Sequence, residues 1–599
     1  PETFRGDSPM KTEESAPRES SLDLPEWFAP WAGRLADLYF SGSSSVFLLH
    51  GNTFDYVRSG GEAPEYIDLS SFLASQVFGR WDLVLYYDLA SGLRPIAGRD
   101  EKRLHEMIAR VNERIGDLSN FPKDADRVFA LLDKLVQRNL VEKEGERMEV
   151  AVLIGHASHL FPRGEPGRLS PQASTNLVRV LNWASSPYVK RLNMAFCIID
   201  PVLADLSDRL SGNPHVAAIE LGLPEVEERR AFLEAQANDE ELAKFSDFGT
   251  SELAELTAGI SLSDLDSLIE SARSGSRRLD GELFKSLKKR LIEKQCQGLL
   301  EFVQPKWGLD TVVGHDAAKA RLREDAELLA RGKTGSVPMG YLLCGPVGTG
   351  KSFLATCASG AMGVPCVMLK NFRSKYVGET EANLERILAV LRAMGPVVVI
   401  VDEADAALGD RGQSGDSGTS GRVFAMIAAQ MGDTSYRGKI LWMLLTSRPD
   451  LLPIDIKRQG RAEVHIPLFY PTQEEDLRDL FLVLARKLGS KLAPEDVPPM
   501  QHAGDLSGAD VEGIVGRALR ISQIAGFDHV TKEALQEALD QFMPSTQTLE
   551  RELQEIAAII ECTDRQFLPP HIHKRIDQAG GRARLQERLT AIKRLVESM

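Results

Sequence analysis

The feature that most constrains the fold of this chain is an internal repeat at one fixed spacing. Three patterns recur at an offset of 247 residues: the apolar run 150–154 at 397–401, the apolar run 196–199 at 443–446, and Pro224 at Pro471. Chance does not hold one offset through three separate patterns, so the chain contains two copies of one plan. In each copy, apolar strands alternate with helical stretches and a helical tail follows. This predicts an α/β fold with two tandem modules, each a parallel αβα sandwich with a small helical lid.

The repeat also predicts the domain boundaries. The first apolar strands of the two copies are offset by 294 residues instead of 247, so the first copy carries an insertion before residue 150. The first residues are polar and rich in Pro, Ser and Glu, a composition typical of disorder. We expect a disordered tail at 1–30, a first large subdomain at 31–224 with a helical insertion at about 93–148, its lid at 225–300, a second large subdomain at 301–471, its lid at 472–545, and a C-terminal helical extension at 546–599 that packs on the lid or recruits a partner.

A glycine-rich loop stands between a predicted strand and a predicted helix of the second copy. Residues 345–352 fit the phosphate-binding pattern G-x-x-x-x-G-K-[ST]. Loop N–H groups and the positive end of the helix favour phosphate, Lys351 can reach the β- and γ-phosphates, and Ser352 can bind Mg²⁺. The alternative is a glycine-rich turn without a ligand. The predicted contacts of ATP in this loop are Gly345, Pro346, Val347, Gly348, Thr349, Gly350, Lys351, Ser352 and Phe353.

Two carboxylates follow the apolar strand at 397–401. Asp402 ends the strand near the phosphate loop, where it would hold Mg²⁺ directly or through water. Glu403 is then the natural base for the attacking water. The alternative is a solvated acidic turn. With the phosphate loop, the pair predicts an enzyme that hydrolyses ATP with Mg²⁺ as its metal.

These motifs and two later ones occur in the order found in one family. The segments are 345–352, 402–405, Thr-Ser-Arg-Pro-Asp at 446–450 and Arg-Gln-Gly-Arg at 458–461. The set resembles AAA ATPases of the group that contains valosin-containing protein, katanin and spastin, over residues 305–525. The resemblance implies two tandem AAA+ modules of the P-loop type, the first recognised only through the repeat.

The resemblance also implies roles for residues outside the two motifs. Val312, Val313 and Gly314 fall where the family contacts adenine, and Ala509 falls in its lid segment near the same base. A helix start with an Asp cap is the alternative there. Ser447 takes the place of the family's sensor Asn, which positions the water, and has a shorter reach.

Two further segments imply a ring. Arg458 and Arg461 match the paired arginines that reach a neighbouring subunit's nucleotide, with Gln459 in place of Pro; surface salt bridges are the alternative. Tyr376, Val377 and Gly378 resemble the pore loop that grips an extended peptide, and a core Tyr at a helix start is the alternative. A mobile loop at 409–421 would face the same channel or lie on the surface.

The first copy lacks the residues that carry this chemistry. At the constant offset, Gly155 replaces Asp402 and His156 replaces Glu403. The offset also pairs Asp200, Ser211 and Pro214 with the sensor serine and the two arginines, and the loop at 51–55 has no Gly-Lys-Ser. We therefore expect a degenerate AAA module that shapes or stabilises a ring.

The expected function is that of an ATP-driven ring, formed by six copies of the chain, that unfolds or disassembles a protein substrate delivered directly or by an adaptor. The alternative is an ATP-switched assembly or scaffold factor that recruits a partner through the degenerate module. A nucleic-acid motor is disfavoured by the net charge of −15. Six cysteines without a C-x-x-C pair indicate free thiols in a reducing, cytoplasmic setting, and no run of 18 apolar residues predicts a membrane span.

Overall fold

The computed structural model describes residues 24–598, apart from 26, 62–63, 115–122, 144–145, 165–168, 238, 276–277, 297, 371–378, 409–416, 500–505 and 544–547. The chain divides into two compact units. The first comprises Pro1–Leu160, Ser170–Asp200 and Arg209–Glu220, and the second comprises Phe161–Leu169, Pro201–Asp208 and Leu221–Met599.

The first unit is built on a six-stranded sheet and a separate hairpin. Its strands are β1 (Val46–Gly51), β2 (Tyr56–Ser59), β3 (Glu65–Asp68), β4 (Leu83–Asp88), β5 (Gly92–Pro95), β6 (Val150–Ile154), β7 (Met194–Ile199) and β8 (Val216–Leu221). The sheet order is β5-β4-β6-β7-β1-β8, and β2 and β3 form the hairpin. Within the six-stranded sheet, β5 alone is antiparallel to its neighbour among the pairings described. Strands β6 and β7 are buried along their whole length, as parallel strands covered on both faces should be.

Helices cover this sheet. They are α1 (Pro30–Phe40), α2 (Leu69–Phe72), α3 (Glu101–Arg114), α4 (Ala125–Val141), α5 (Pro171–Ser185) and α6 (Asp208–Ser211). Helices α3 and α4 lie in the stretch 93–148, where the sequence predicts an insertion. The Asp124 side chain caps α4, and Phe129 on its buried face stacks on Trp183 of α5 with ring centroids 6.0 Å apart. Helix α4 is therefore part of the packed sandwich as well as of the expected insertion.

A group of helices opens the second unit's main segment, and a second six-stranded sheet follows. The helices are α7 (Val226–Gln236), α8 (Asp239–Leu242), α9 (Thr250–Leu256), α10 (Leu262–Ser274) and α11 (Gly281–Gln295). The strands are β9 (Leu300–Phe302), β10 (Gly340–Cys344), β11 (Cys366–Leu369), β12 (Val397–Val401), β13 (Ile440–Thr446) and β14 (Val464–Pro467). Their order is β14-β10-β13-β12-β11-β9, with β9 antiparallel to β11.

The remaining helices surround this sheet and form two further groups. Those of the sandwich are α12 (Asp316–Ala330), α13 (Lys351–Met362), α14 (Glu379–Ala393), α15 (Ala404–Leu408) and α16 (Ser417–Gly432). The lid helices are α17 (Glu474–Lys487), α18 (Gly508–Ile524) and α19 (Lys532–Asp540), and the C-terminal helices are α20 (Thr548–Glu561), α21 (Pro570–Gln578) and α22 (Arg582–Ser598).

The two sheets share one strand order. The five strands β4-β6-β7-β1-β8 of the first sheet correspond in sequence order and position to β11-β12-β13-β10-β14 of the second, and each sheet has one antiparallel edge strand. The prediction of an α/β fold with two parallel-sheet modules is confirmed.

The strand register corrects one detail of the repeat. Val152 of β6 lies opposite Phe196, whereas its repeat partner Val399 lies opposite Trp442. The offset is thus one residue shorter at β7 than at β6. Asp200 corresponds structurally to Thr446 and not to Ser447, so the pairing of Asp200 with the sensor position was wrong by one residue.

The C-terminal helices are part of the core beneath the second sheet. Leu553, Ile556 and Ala557 of α20 and Leu589 of α22 are buried in the cluster that contains Leu343 of β10. The lid helices α17 to α19 form a separate buried cluster that includes none of these side chains. The extension therefore packs on the large subdomain, where the sequence analysis offered the lid or a partner. Among the described residues, no helix is both long and apolar enough to cross a membrane.

Candidate active site

The loop between β10 and α13 depends on glycine at its first and last turns. Gly345 has a φ of +144°, and a Cβ there would lie 2.1 Å from the main-chain oxygen of Leu468. Gly350 adopts a φ of +82° and caps the N-terminus of α13. Since L side chains avoid these conformations, only glycine lets the backbone fold closely round the helix start. The sequence pattern predicts this loop at the positive end of α13.

The lid contacts the same loop. The N–H of Gly508 donates to the carbonyl oxygen of Gly348 over 2.8 Å. A Cβ at Gly348 would lie 2.8 Å from the Ser507 side chain, so a larger residue would push the lid away. Oγ of Ser507 accepts from the N–H of Asp510, and Oδ2 of Asp510 accepts from the N–H of Ser507. This reciprocal pair fixes the first turn of α18. Ala509, a predicted base contact, sits in that turn.

Lys351 places a cation inside the loop. Its Nζ donates to the carbonyl oxygens of Gly345 and Pro346, each over 2.9 Å. Burial lowers the pKa of Lys351 to about 8, with nearby carboxylates such as Asp402 opposing the shift. The amine is thus mostly protonated at neutral pH, and removing it from water makes it a stronger partner for an anion.

Ser352 and Asp402 meet beside this lysine. The Ser352 hydroxyl donates to Oδ2 of Asp402 over 2.8 Å, and Oδ1 of Asp402 accepts from the N–H of Glu403. Hydroxyl and carboxylate oxygens are the donors that Mg²⁺ prefers, and both come from the residues the sequence predicts. These two oxygens fit a magnesium ion.

The residue after Asp402 has an unusual backbone. Glu403 is exposed and has a φ of +49°, one of three positive values among the described non-glycine residues. Such a conformation is costly for a residue with a side chain and persists only where the surroundings impose it. It turns the chain sharply between the end of β12 and the start of α15.

Thr446, the residue before the predicted sensor Ser447, joins the end of β13 to this turn by a hydrogen bond. Thr446 is buried, and its hydroxyl donates to Oδ1 of Asp405 over 2.6 Å and accepts from the N–H of Arg448. Ser447 lies next to it and is partly buried. Thr446 and Asp405 belong to motif segments in the sequence, but the sequence analysis gave neither a role.

A cavity of about 530 Å³ opens between the phosphate loop, the lid and the segment before α12. The structure brings eight predicted contact residues into its lining: Val312, Val313, Gly314, Gly348, Thr349, Gly350, Phe353 and Ala509. The other five predicted contacts of this segment do not line the cavity: Gly345, Pro346, Val347, Lys351 and Ser352. It has the volume of a small-molecule site.

Sequence reasoning missed a third wall of this cavity. Residues 566–571, which precede and begin α21, line it together with Tyr470 and Thr472. Oε1 of Gln554 on α20 also accepts from the N–H of Val347 over 3.1 Å. Gln554 and Val347 are 207 residues apart, and no local pattern marks a glutamine in a helix as a partner of a distant loop.

The predicted ring residues stand apart from this cavity. The Arg458 side chain is 60% exposed and has a long ion pair of 4.0 Å with Asp455. Arg461 is half-buried and donates to the carbonyl oxygen of Asp455. Neither lines the cavity. The predicted pore residues Tyr376, Val377 and Gly378 lie outside the described residues.

The first unit repeats one backbone feature of this turn with different side chains. His156 has a φ of +52°, close to that of Glu403 at the repeated position. A Cβ at Gly155 would lie 2.1 Å from the Tyr86 hydroxyl, so the place of the Asp402 side chain is filled. Asp200 accepts from the N–H of Ser158, the position equivalent to Asp405, and so replaces the Thr446 link with another hydrogen bond.

Three family models match the chain. Residues 20–222 match the N-terminal Rossmann-like domain of AAA+ chaperones, and residues 227–297 match the second helical domain of AAA+ chaperones. Residues 341–470 match the ATPase family associated with various cellular activities, abbreviated AAA. Residues 341–470 form an AAA ATPase domain. The AAA domain contains the phosphate loop, Asp402, Glu403 and both arginines, whereas the lid and C-terminal walls of the cavity lie beyond it.

Relatives of this chain occur in archaea and bacteria. The chain is 30% identical over 335 residues to the cell division cycle protein 48 homolog of Archaeoglobus fulgidus, covering 50% of this chain and 44% of that protein. It is 29% identical over 334 residues to Protein SAV of Sulfolobus acidocaldarius, covering 50% and 42%. It is 28% identical over 276 residues to the ATP-dependent zinc metalloprotease FtsH 2 of Salinibacter ruber, covering 42% and 40%. The chain thus spans less than half the length of these relatives.

Proposed function

We propose that this chain hydrolyses ATP in a cytoplasmic ring of six identical copies and uses the energy to unfold or disassemble protein substrates through a central pore. The observation that carries the proposal is the contact between Ser352 and Asp402 beside Lys351, inside an AAA domain. The motif set resembles the group of AAA ATPases that contains valosin-containing protein, katanin and spastin, and we assign the chain to that group as part of this proposal. The AAA+ chaperone domains at 20–222 and 227–297 support work on proteins.

The nucleotide would lie with its phosphates on the loop and its base in the cavity. Loop N–H groups and the start of α13 face the phosphate side, where the charge of Lys351 offsets the negative charge of the phosphates. Val312, Val313 and Gly314 form one side of the cavity and Ala509 of the lid forms another. The lid and the large subdomain therefore both contact one ligand, and its phosphate state would alter how they fit together.

In the proposed hydrolysis of ATP, the residues around Asp402 have separate roles. Ser352 and Asp402 would hold Mg²⁺, which neutralises phosphate charge in the transition state. Glu403 accepts the proton of the attacking water, and its exposed side chain leaves room for that water. The bond from Thr446 to Asp405 holds the end of β13 against the turn that carries Glu403, which keeps Ser447 near the site.

A neighbouring subunit completes this site in the proposed ring. Arg458 is largely exposed, outside the cavity lining, and held by a single long ion pair among the described contacts, so it is available to a second copy. An arginine supplied in this way raises phosphoryl-transfer rates by about 10³–10⁵. An isolated subunit should then be nearly inactive. Mixing Arg458→Ala with Lys351→Ala should restore part of the activity, because a Lys351→Ala subunit still supplies its arginine to the intact loop of a neighbouring Arg458→Ala subunit.

The first module supports the ring without hydrolysing ATP. Gly155 and His156 replace the metal ligand and the base, and the Tyr86 hydroxyl fills the space that a carboxylate would need. The shared strand order supports a structural role for this module in the ring.

The strand order that the first module shares with the second also favours another function. In this second function the chain is an ATP-switched scaffold that recruits a partner through the first module. Replacing Tyr376 with Ala separates the two functions. A pore mechanism predicts that Tyr376→Ala retains ATP hydrolysis but loses unfolding of a substrate. A scaffold predicts that partner recruitment continues unchanged.

The experiment that tests the proposed function is Glu403→Gln, assayed for phosphate release and for ATP binding. We expect turnover to fall by about 10²–10⁴-fold while ATP affinity stays within about threefold, because only proton transfer is lost. Glu327→Gln is the matched control, since it changes an exposed glutamate whose described ion pair is with Arg331, the residue that caps the end of the same helix. Full turnover in Glu403→Gln would contradict the assigned base. Co-purification of proteins with this ATP-bound variant would identify the substrate.

A further inference from the structure

The phosphate loop is held at Val347 by two side chains from outside the loop. The N–H of Val347 donates to Oε1 of Gln554 over 3.1 Å, and its carbonyl oxygen accepts from the Tyr470 hydroxyl over 2.7 Å. The Arg551 guanidinium lies 4.4 Å from the centre of the Tyr470 ring and holds that ring from α20. Both main-chain polar groups of Val347 are thus fixed, although the residue is 63% exposed.

Helix α20 is a rigid support for this contact. Gln554 is only 6% exposed, and its neighbours Leu553, Ile556 and Ala557 are almost fully buried in the core cluster of the sheet. The carboxylate of Glu555 pairs with Arg575 of α21 over 2.6 Å, which joins the first two C-terminal helices. A side chain fixed in this way can impose a position on the loop instead of following it.

The segment after α20 lines the cavity itself. Residues 566–571 line it together with Val313 and Gly314, and Nδ1 of His571 lies 3.3 Å from the Thr472 hydroxyl. Pro569 and Pro570 fix the backbone of this wall, because proline has one accessible φ. The C-terminal helices thus meet the site at both its phosphate loop and its base cavity.

We propose that the C-terminal segment from α20 to His571 is a third wall of the nucleotide site, in which Gln554 positions the phosphate loop and residues 566–571 cover the base. This inference rests on the proposed function, since it assigns both contacts to one bound nucleotide. It makes Gln554 a positioning residue for phosphate and His571 a binding residue for the nucleoside part.

The test uses two ligands that share phosphates but differ in the base. Affinities of the full chain for Mg-ADP and for magnesium tripolyphosphate are measured by calorimetry, with the melting temperature of each variant without ligand. Gln554→Met keeps the length and bulk of the side chain and removes the acceptor. Losing one hydrogen bond should weaken both ligands by the same factor, about three- to tenfold. His571→Ala should weaken ADP about threefold or more and leave tripolyphosphate unchanged.

Controls separate positioning from general stability. Glu552→Gln disturbs the nearby pair with Arg588 and should change neither affinity. If Gln554→Met does not fold, Gln554→Asn keeps the amide but is too short to reach Val347, and the same loss is expected. Unchanged affinities in a Gln554 variant, or an equal effect of His571→Ala on both ligands, would overturn the third wall. Lys351→Ala tests the premise: if it binds ADP as well as the original chain, the nucleotide site itself is misplaced.

Discussion

Raising the pH from 7 to 9 should weaken ATP binding by about tenfold, because Lys351 loses its proton in this range. Burial lowers the pKa of Lys351 to about 8, so the amine is about 90% protonated at pH 7 and about 10% protonated at pH 9. Bound phosphates favour the charged form and raise its pKa, so the complex keeps the proton. The apparent affinity then follows the protonated fraction of the free protein.

Isothermal titration calorimetry measures this in two ways. The dissociation constant for Mg-ATP should rise about tenfold between pH 7 and pH 9, and binding at pH 8 in buffers of different ionisation enthalpy should take up about half a proton per site. Other buried groups near the site titrate elsewhere, since the pKa of His315 falls to about 4 and burial raises that of Cys344 far above 9. A change in affinity between pH 7 and pH 9 is therefore assigned to the titration of Lys351.

The matched control is Lys351→Arg, which stays charged throughout this range. Its affinity for Mg-ATP, whatever its absolute value, should be the same at pH 7 and pH 9. A dissociation constant of the original chain that does not change with pH, with no proton uptake at pH 8, would refute the reasoning. Lys351 would then keep its proton despite burial.

Three further substitutions have outcomes set by the geometry. Gly345→Ala should lower the free energy of unfolding by about 3 kcal/mol in urea titrations, because its Cβ would clash with a main-chain oxygen at a φ of +144°. Thr446→Val should cost about 2 kcal/mol and slow turnover, since the Asp405 carboxylate loses its donor; unchanged stability would show that water replaces the hydroxyl. Gly155→Asp should destabilise the first unit without creating a second ATP site, because the Tyr86 hydroxyl lies 2.1 Å from the new Cβ. A second bound nucleotide in that variant would contradict this.

Much of the fold followed from local patterns. The alternation of apolar strands and helical stretches predicted parallel sheets, and the fixed repeat offset predicted that the two sheets would share one plan. The contact of Ser352 with Asp402 was also predictable, because the carboxyl ends of parallel strands meet at one edge of a sheet. The alignment of the two copies was wrong by one residue at β7. The sequence paired Asp200 with Ser447, whereas the strand register pairs it with Thr446. Strands β7 and β13 are both mainly apolar, so their composition does not decide which residue of one corresponds to which residue of the other.

The sequence by itself determined the chemistry of the second module, since a lysine, a serine and two carboxylates at fixed spacing leave little choice once strand and helix form around them. Only the tertiary structure decided that the C-terminal helices hold Val347 through Gln554 and complete the cavity at residues 566–571. The same holds for the Tyr86 hydroxyl beside Gly155. The physical reason is that hydrogen bonds within a strand, loop or helix follow from neighbours in sequence. Contacts across 207 residues depend on how whole elements pack, which no local pattern encodes.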